Sequence, residues 1–209
     1  MMNTPVDEAV YRVLRTYRKE GKPKGYQYTL EVIDDHTQKV VASCDIKGRP
    51  VFSVLEIMDD RHQEWVMTPN RKIMPSRWIV RDPKQRVAMQ FDQRILGKLA
   101  NPLSKVGLGL LDGNGEEIYR LIDPRAGHLD PLFLNPDEWV VTDGSKPVAK
   151  IVQLPRQKQQ SQGFVGVLRA FLNTSDPGVV SLGRQHIFPA PVALGVLVIF
   201  KELSDASGG

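Results

Sequence analysis

From residue 26 to about residue 154 the chain repeats one pattern: a short apolar run, a polar turn led by aspartate, and a second apolar run. Runs 28–33 and 39–46 flank Asp34-Asp35-His36-Thr37-Gln38, and runs 77–80 and 86–91 flank Asp82-Pro83-Lys84-Gln85. Runs 105–111 and 116–122 flank Asp112-Gly113-Asn114-Gly115, and runs 138–142 and 147–154 flank Asp143-Gly144-Ser145-Lys146. Stretches 51–58 and 64–67 offer another strand pair. Paired apolar runs around a tight polar turn mark a β-hairpin. Aspartate suits such a turn because its side chain accepts a hydrogen bond from the backbone two residues on. Asp35, Asp82 and Asp143 each precede a valine by five residues (Val40, Val87, Val148), and Asp112 precedes Ile118 by six. This weak repeat is too divergent for a solenoid. Successive hairpins predict an antiparallel sheet, which must close on itself or be covered to hide its edges.

The two ends of the chain read differently. Over 5–20, Val6, Ala9, Val10, Val13, Leu14 and Tyr17 recur at three- and four-residue steps, which predicts an amphipathic helix. Thr4 stands at its N-cap, Asp7 imitates a capping box, Pro5 suits the first position, and Gly21 and Pro23 end it. Arg12, Arg15, Arg18 and Lys19 fall off the apolar stripe. Such a helix either covers an open end of the core or lies along a membrane surface. Further on, Phe164, Val165, Val167, Leu168, Phe171 and Leu172 fit a short helix, with a strand as the alternative. Residues 191–200 are apolar with only Gly195 interrupting. Even extended back to Ile187 the stretch is 14 residues long and holds two prolines. A membrane span needs about 20 apolar residues, whereas a short helix apolar on all sides belongs inside a core.

Charge adds a second layer. The 209 residues are 41% hydrophobic and 25% charged, which excludes a collagen-like repeat, a coiled coil and wholesale disorder. Their net charge of +4 is uneven. Residues 1–24 carry +3, and residues 144–175 carry +5 through Lys146, Lys150, Arg156, Lys158 and Arg169 with no acid. Two basic zones on an otherwise acidic chain fit a polyanionic partner, either nucleic acid or an anionic membrane surface, or else a solvated face. Cys44 is the single cysteine and no basic-then-apolar leader opens the chain, so a reducing, cytoplasmic setting is expected.

Three stretches together carry a family resemblance: Trp78-Ile79-Val80-Arg81-Asp82-Pro83-Lys84-Gln85-Arg86-Val87-Ala88, then Gly109-Leu110-Leu111-Asp112-Gly113-Asn114-Gly115-Glu116-Glu117-Ile118, then the apolar 191–200. Hairpins of this form followed by one apolar helix resemble the tubby-like superfamily, within it the LURP-one-related and phospholipid scramblase-like branch. The resemblance spans roughly residues 26–203. It implies a closed antiparallel barrel of about twelve strands with the C-terminal helix through its middle, at 191–203 of a domain covering 25–203. The amphipathic helix and linker would occupy 1–24, and 204–209 would form a disordered tail. Lipid association is what the branch implies for function: tubby domains bind phosphoinositide head groups, and scramblases are linked to calcium-dependent lipid movement. This chain departs from the scramblase pattern, having no Pro-rich N-terminal segment and no cysteine cluster for acylation.

Candidate chemistry is thin. The segment Asp112-Gly113-Asn114-Gly115-Glu116-Glu117 invites a calcium reading, but glycine falls fourth where an EF-hand loop needs it sixth, and the twelfth position is Asp123. His36, His62, His128 and His186 show no metal-ligand spacing, and Cys44 reads as a small hydrophobe. No phosphate-binding glycine loop and no Gly-x-Ser-x-Gly elbow is present, and Asp59-Asp60 could be half of a carboxylate pair but nothing marks an acid and a base in different environments, so no cofactor, metal or catalytic residue is expected. The reading is a non-enzymatic barrel docking peripherally on anionic phospholipid. Its contacts would be Lys146, Lys150, Arg156, Lys158 and Arg169, joined by Arg12, Arg15, Arg18 and Lys19. A protein or small-ligand binding barrel is the alternative. Nucleic acid comes third, because few aromatics interleave with the bases.

Overall fold

Side chains of a strand alternate between two faces, and here one face is consistently apolar. Along β4 (Leu55–Asp59), Leu55 and Ile57 are buried while Glu56 and Met58 are exposed. The computed structural model describes residues 8–17, 27–47, 52–71, 76–94, 107–122, 138–144, 146–155 and 175–207. The first strands are β1 (Ala9–Tyr17), β2 (Gln27–Asp34), β3 (Lys39–Lys47) and β4. Next come β5 (Glu64–Pro69), β6 (Arg77–Arg81), β7 (Val87–Arg94) and β8 (Gly107–Leu111). The last are β9 (Glu117–Ile122), β10 (Glu138–Thr142), β11 (Pro147–Pro155) and β12 (Ser175–Ser181). Each pairs antiparallel with its sequence neighbour, and β1 also pairs with β12, so the sheet closes into a barrel.

Eight strands make a barrel that side chains alone can fill, so twelve leave a wider lumen. The helix α1 (Ala190–Ser207) occupies it. A helix with its side chains is about 10–12 Å across. Every residue from Ala190 to Phe200 is buried. Phe188, just before α1, meets Tyr119 edge-to-face at 5.6 Å, and Phe200 meets Trp139 in the same way at 5.4 Å. At Gly195 the helix runs close to the wall: a Cβ there would lie 3.0 Å from the Phe91 ring and 3.1 Å from Met67 Sδ. The all-round apolar stretch is therefore the core of the barrel, as its length and pattern predict.

Over Ala9–Tyr17 the helix expected at 5–20 is replaced by strand β1, and Val6, Asp7, Gly21 and Pro23 lie outside the described residues. The helical stripe contained Ala9, Val10, Val13 and Leu14, a set that also fits two-residue alternation on both faces. Ala9, Tyr11 and Val13 are buried against the helix side, while Val10 and Leu14 lie on the outer face. Valine, threonine and tyrosine favour the pleated surface over the helix. Without β1, both β2 and β12 would present open edges, so its backbone satisfies two ladders at once.

Strand β12 is the second addition, hidden in the sequence by Pro177 and Gly178, which read as breakers. Gly178 is required there. A Cβ would come within 2.4 Å of Leu154 Cδ1 and 2.9 Å of the Tyr11 carbonyl oxygen. The short helix expected at 164–172 lies outside the described residues, as do Thr4 and Pro5. The helix α1 runs on to Ser207, into the stretch expected as tail.

Candidate functional site

Strand order divides the connections between two ends of the barrel. At one, the hairpin end, β2–β3, β4–β5, β6–β7, β8–β9 and β10–β11 turn, and the chain passes from β12 into α1. At the far end emerge the connections β1–β2, β3–β4, β5–β6, β7–β8, β9–β10 and β11–β12.

Three turns at the hairpin end are built alike. Asp59, Asp82 and Asp112 each accept, on Oδ1, the amides two and four residues on at 2.8–3.0 Å. The residue three on takes a positive φ: 58° at His62, 62° at Gln85 and 86° at Gly115. In the first hairpin the turn aspartate is Asp34 and not Asp35, with the His36 and Thr37 amides donating to it at 2.9 Å. Burial pushes the carboxyls of Asp34, Asp59 and Asp82 up, but the hydrogen bonds they accept outweigh it and hold all three below the usual carboxylate range. Asp112 is lowered too, chiefly by the Glu116 amide.

These bonds answer the chemical readings. The Asp112 oxygens face N–H donors, including Asn114 Nδ2 at 3.3 Å, which is the opposite of a cation site. Asp59 is committed to its turn and to the Trp65 indole N–H at 3.1 Å, so Asp59-Asp60 is no acid–base pair. Among the described residues no group of three or more His, Cys, Asp or Glu side chains converges on a metal position. Cys44 is buried, and burial, then Asp45 and Glu56, push its thiol up to about 12, leaving it inert.

One cluster at this end escaped the sequence reading. The Tyr11 and His186 rings stack at 3.5 Å with a 4° interplanar angle, and His186 Nε2 lies 3.0 Å from Asp34 Oδ2. Burial, then Asp34 and Asp60, push the Tyr11 hydroxyl up to about 12. His186 Nδ1 is buried and has no hydrogen-bond partner among the described residues. The pair acts as a clasp. Together with the Ile187 amide donating to Ser181 Oγ at 3.2 Å, it pins the connection that feeds α1 into the barrel.

The predicted basic contacts are scattered by the fold. Arg12 is buried and bonded twice to Asp35, Nε to Oδ1 at 3.0 Å and Nη2 to Oδ2 at 2.9 Å, so it belongs to the barrel wall. Arg15 stands opposite Leu30 in the β1–β2 ladder. Lys146 is exposed at the hairpin end, and Lys150 lies partway along β11, paired in register with Val180. Arg18, Lys19, Arg156, Lys158 and Arg169 lie outside the described residues. Their flanking strand ends are nonetheless placed: Tyr17 pairs with Tyr28, and Pro155 pairs with Ser175. Both connections therefore emerge at the far end, on either side of the β1–β12 seam. Counted over all six far-end connections, thirteen Lys and Arg stand against four Asp and Glu. The hairpin-end connections carry five against six. Of the thirteen far-end bases, Arg71 is the one among the described residues.

No family model matches the chain, and no curated protein does. A solved X-ray structure of a protein from Arabidopsis thaliana is similar in fold, with a TM-score of 0.47 at 12% sequence identity. The similarity covers 94% of this chain and 91% of that one.

Proposed function

We propose that this chain is a tubby-like barrel of the LURP-one-related and scramblase-like branch that docks on anionic phospholipid through its far end. The observation that carries the reading is that Tyr17 and Pro155, the strand ends from which the basic segments 18–24 and 156–169 continue, lie at one end of a closed barrel. Separately each is an ordinary charged loop. Bases carried at one end of the barrel would orient the molecule toward a negatively charged plane. Each base close to an anionic membrane contributes about 1 kcal/mol, and the attraction fades within a Debye length. Arg12 and Lys146 are not part of this contact, the first being held by Asp35 and the second standing at the other end. Among the described residues no helix is long and apolar enough to cross a membrane. No step of chemistry is needed: docking uses charge and shape alone.

Cosedimentation with neutral and with anionic vesicles, at low and at physiological salt, tests this. Binding is expected only to anionic vesicles and weakens as salt rises. The double variant Arg156→Glu/Lys158→Glu should bind more than about tenfold less, since it both removes attraction and adds repulsion. Failure of the native chain to bind anionic vesicles overturns the reading. Tighter binding to duplex DNA, with a steep linear fall of log affinity against log salt, would assign the far end to nucleic acid instead.

A further inference from the structure

Five large apolar side chains are well exposed among the described residues: Val40 (45%), Phe52 (38%), Val54 (58%), Met58 (39%) and Ile118 (40%). Single exposed apolar residues are normal on any protein surface. Val40, Met58 and Ile118 fit that pattern, each on a separate strand near the hairpin end. Phe52 and Val54 differ. They lie two residues apart in the connection between β3 and β4, and that connection emerges at the far end. Arg71, exposed in the next connection around the ring, stands at the same end.

We propose that Phe52 and Val54 form an apolar foot that enters the interfacial layer of an anionic bilayer when the far end docks. This rests on the functional reading above and extends it, from a charge-only contact to one with a defined insertion point. Charge draws a protein to a membrane but holds it only at head-group distance, and the hold is lost in salt. Apolar side chains projecting among bases add a term that salt does not screen, by burying their surface a few ångströms into the head-group boundary. A phenylalanine beside a valine on a connection, free of the sheet's regular spacing, can be submerged without unfolding any strand. Leu55, the next residue, is already 2% exposed inside the barrel, so the foot is anchored directly to the core. The insertion point also fixes orientation: the barrel stands on its far end with the hairpin end directed away.

The test uses the full chain with vesicles of phosphatidylcholine alone and of equal parts phosphatidylcholine and phosphatidylserine. In the variant Phe52→Ser/Val54→Ser both changes fall on exposed side chains, so circular dichroism and thermal unfolding should match the native chain. Its affinity for the mixed vesicles should drop roughly tenfold or more, and its residual binding should become fully salt-sensitive. In a second variant, Phe52→Trp, the added emission should be quenched by lipids brominated near the head group, in mixed vesicles only. Trp78 and Trp139 are buried and serve as unquenched internal controls. If the native chain binds mixed vesicles, yet the serine variant binds equally well and the new tryptophan is not quenched, the foot does not exist and charge alone accounts for docking. If the native chain binds neither vesicle, the functional reading falls, and the foot with it.

Discussion

At the scale of single residues, the molecule is organised by aspartates that fold back on their own backbone. A carboxylate that accepts two or more amide hydrogens is stabilised in its charged form, which is why Asp34, Asp59, Asp82 and Asp112 all titrate below the ordinary range. In acid the folded state therefore binds fewer protons than the unfolded chain. Their contribution to stability is fully present above the unfolded-chain value of about 3.9, and it is lost as the pH falls through the folded values. Asp59→Asn keeps an acceptor oxygen for the Arg61 and Gln63 amides but cannot titrate. In urea unfolding, the native chain's advantage over this variant should be largest near neutrality and vanish toward strong acid. An advantage independent of pH would mean the Asp59 carboxyl is not lowered. Asp82 and Asp112 were readable from sequence, because their bonding partners are two to four positions away, whereas Asp34 was passed over for Asp35 as the repeat's anchor and Asp59 was not read as a turn residue. The pairing of His186 with Asp34 was not readable, since 152 residues separate them.

At the scale of elements, the closing seam is the most exacting part of the fold. At Gly178 the outer side of β12 is overlaid by Leu154 while the backbone of β1 runs close by. Gly178→Ala should cost about 1–3 kcal/mol in denaturant unfolding, the usual penalty of overpacking a tight site. Trimming Leu154 to alanine alongside it should recover only part, because the Tyr11 carbonyl cannot move away as a side chain can. Gly183, where an added methyl would meet nothing within 4 Å, provides the control: its alanine variant should unfold like the native chain. Native-like stability of Gly178→Ala would show the seam to be looser than its geometry implies. Both seam strands were illegible locally for different reasons. β1 satisfies helical and strand periodicity at once, and β12 contains the two residues least expected in a strand.

For the whole molecule, the proposed docking turns on which end of the barrel meets the membrane. Strand β11, at about 3.3 Å per residue and tilted by about 40° in a barrel, puts roughly 20 Å between the ends, more than twice the Debye length of about 8 Å at physiological ionic strength. Charges at the hairpin end should therefore be silent in docking. Lys84→Glu/Lys146→Glu, both on exposed turn residues, should leave binding to anionic vesicles within about threefold of native at physiological salt. A loss as large as that of Arg156→Glu/Lys158→Glu would show that the barrel does not dock end-on.

Local information in the chain was enough for the hairpins, the turns at Asp82 and Asp112 and the buried helix, because periodicity and turn chemistry act over a few residues. The tertiary structure alone decided which of two periodicities the N-terminal segment would obey, since only the open edges of β2 and β12 tip that balance. It also decided which basic residues stand together. Along the chain Arg12, Lys146 and Arg156 belong to the same two zones, but closing a twelve-stranded meander sends alternate connections to opposite ends. Arg12 is thereby taken into the wall and Lys146 is carried to the hairpin end, while the strand ends that lead toward Arg18 and Arg156 stand at the opposite end.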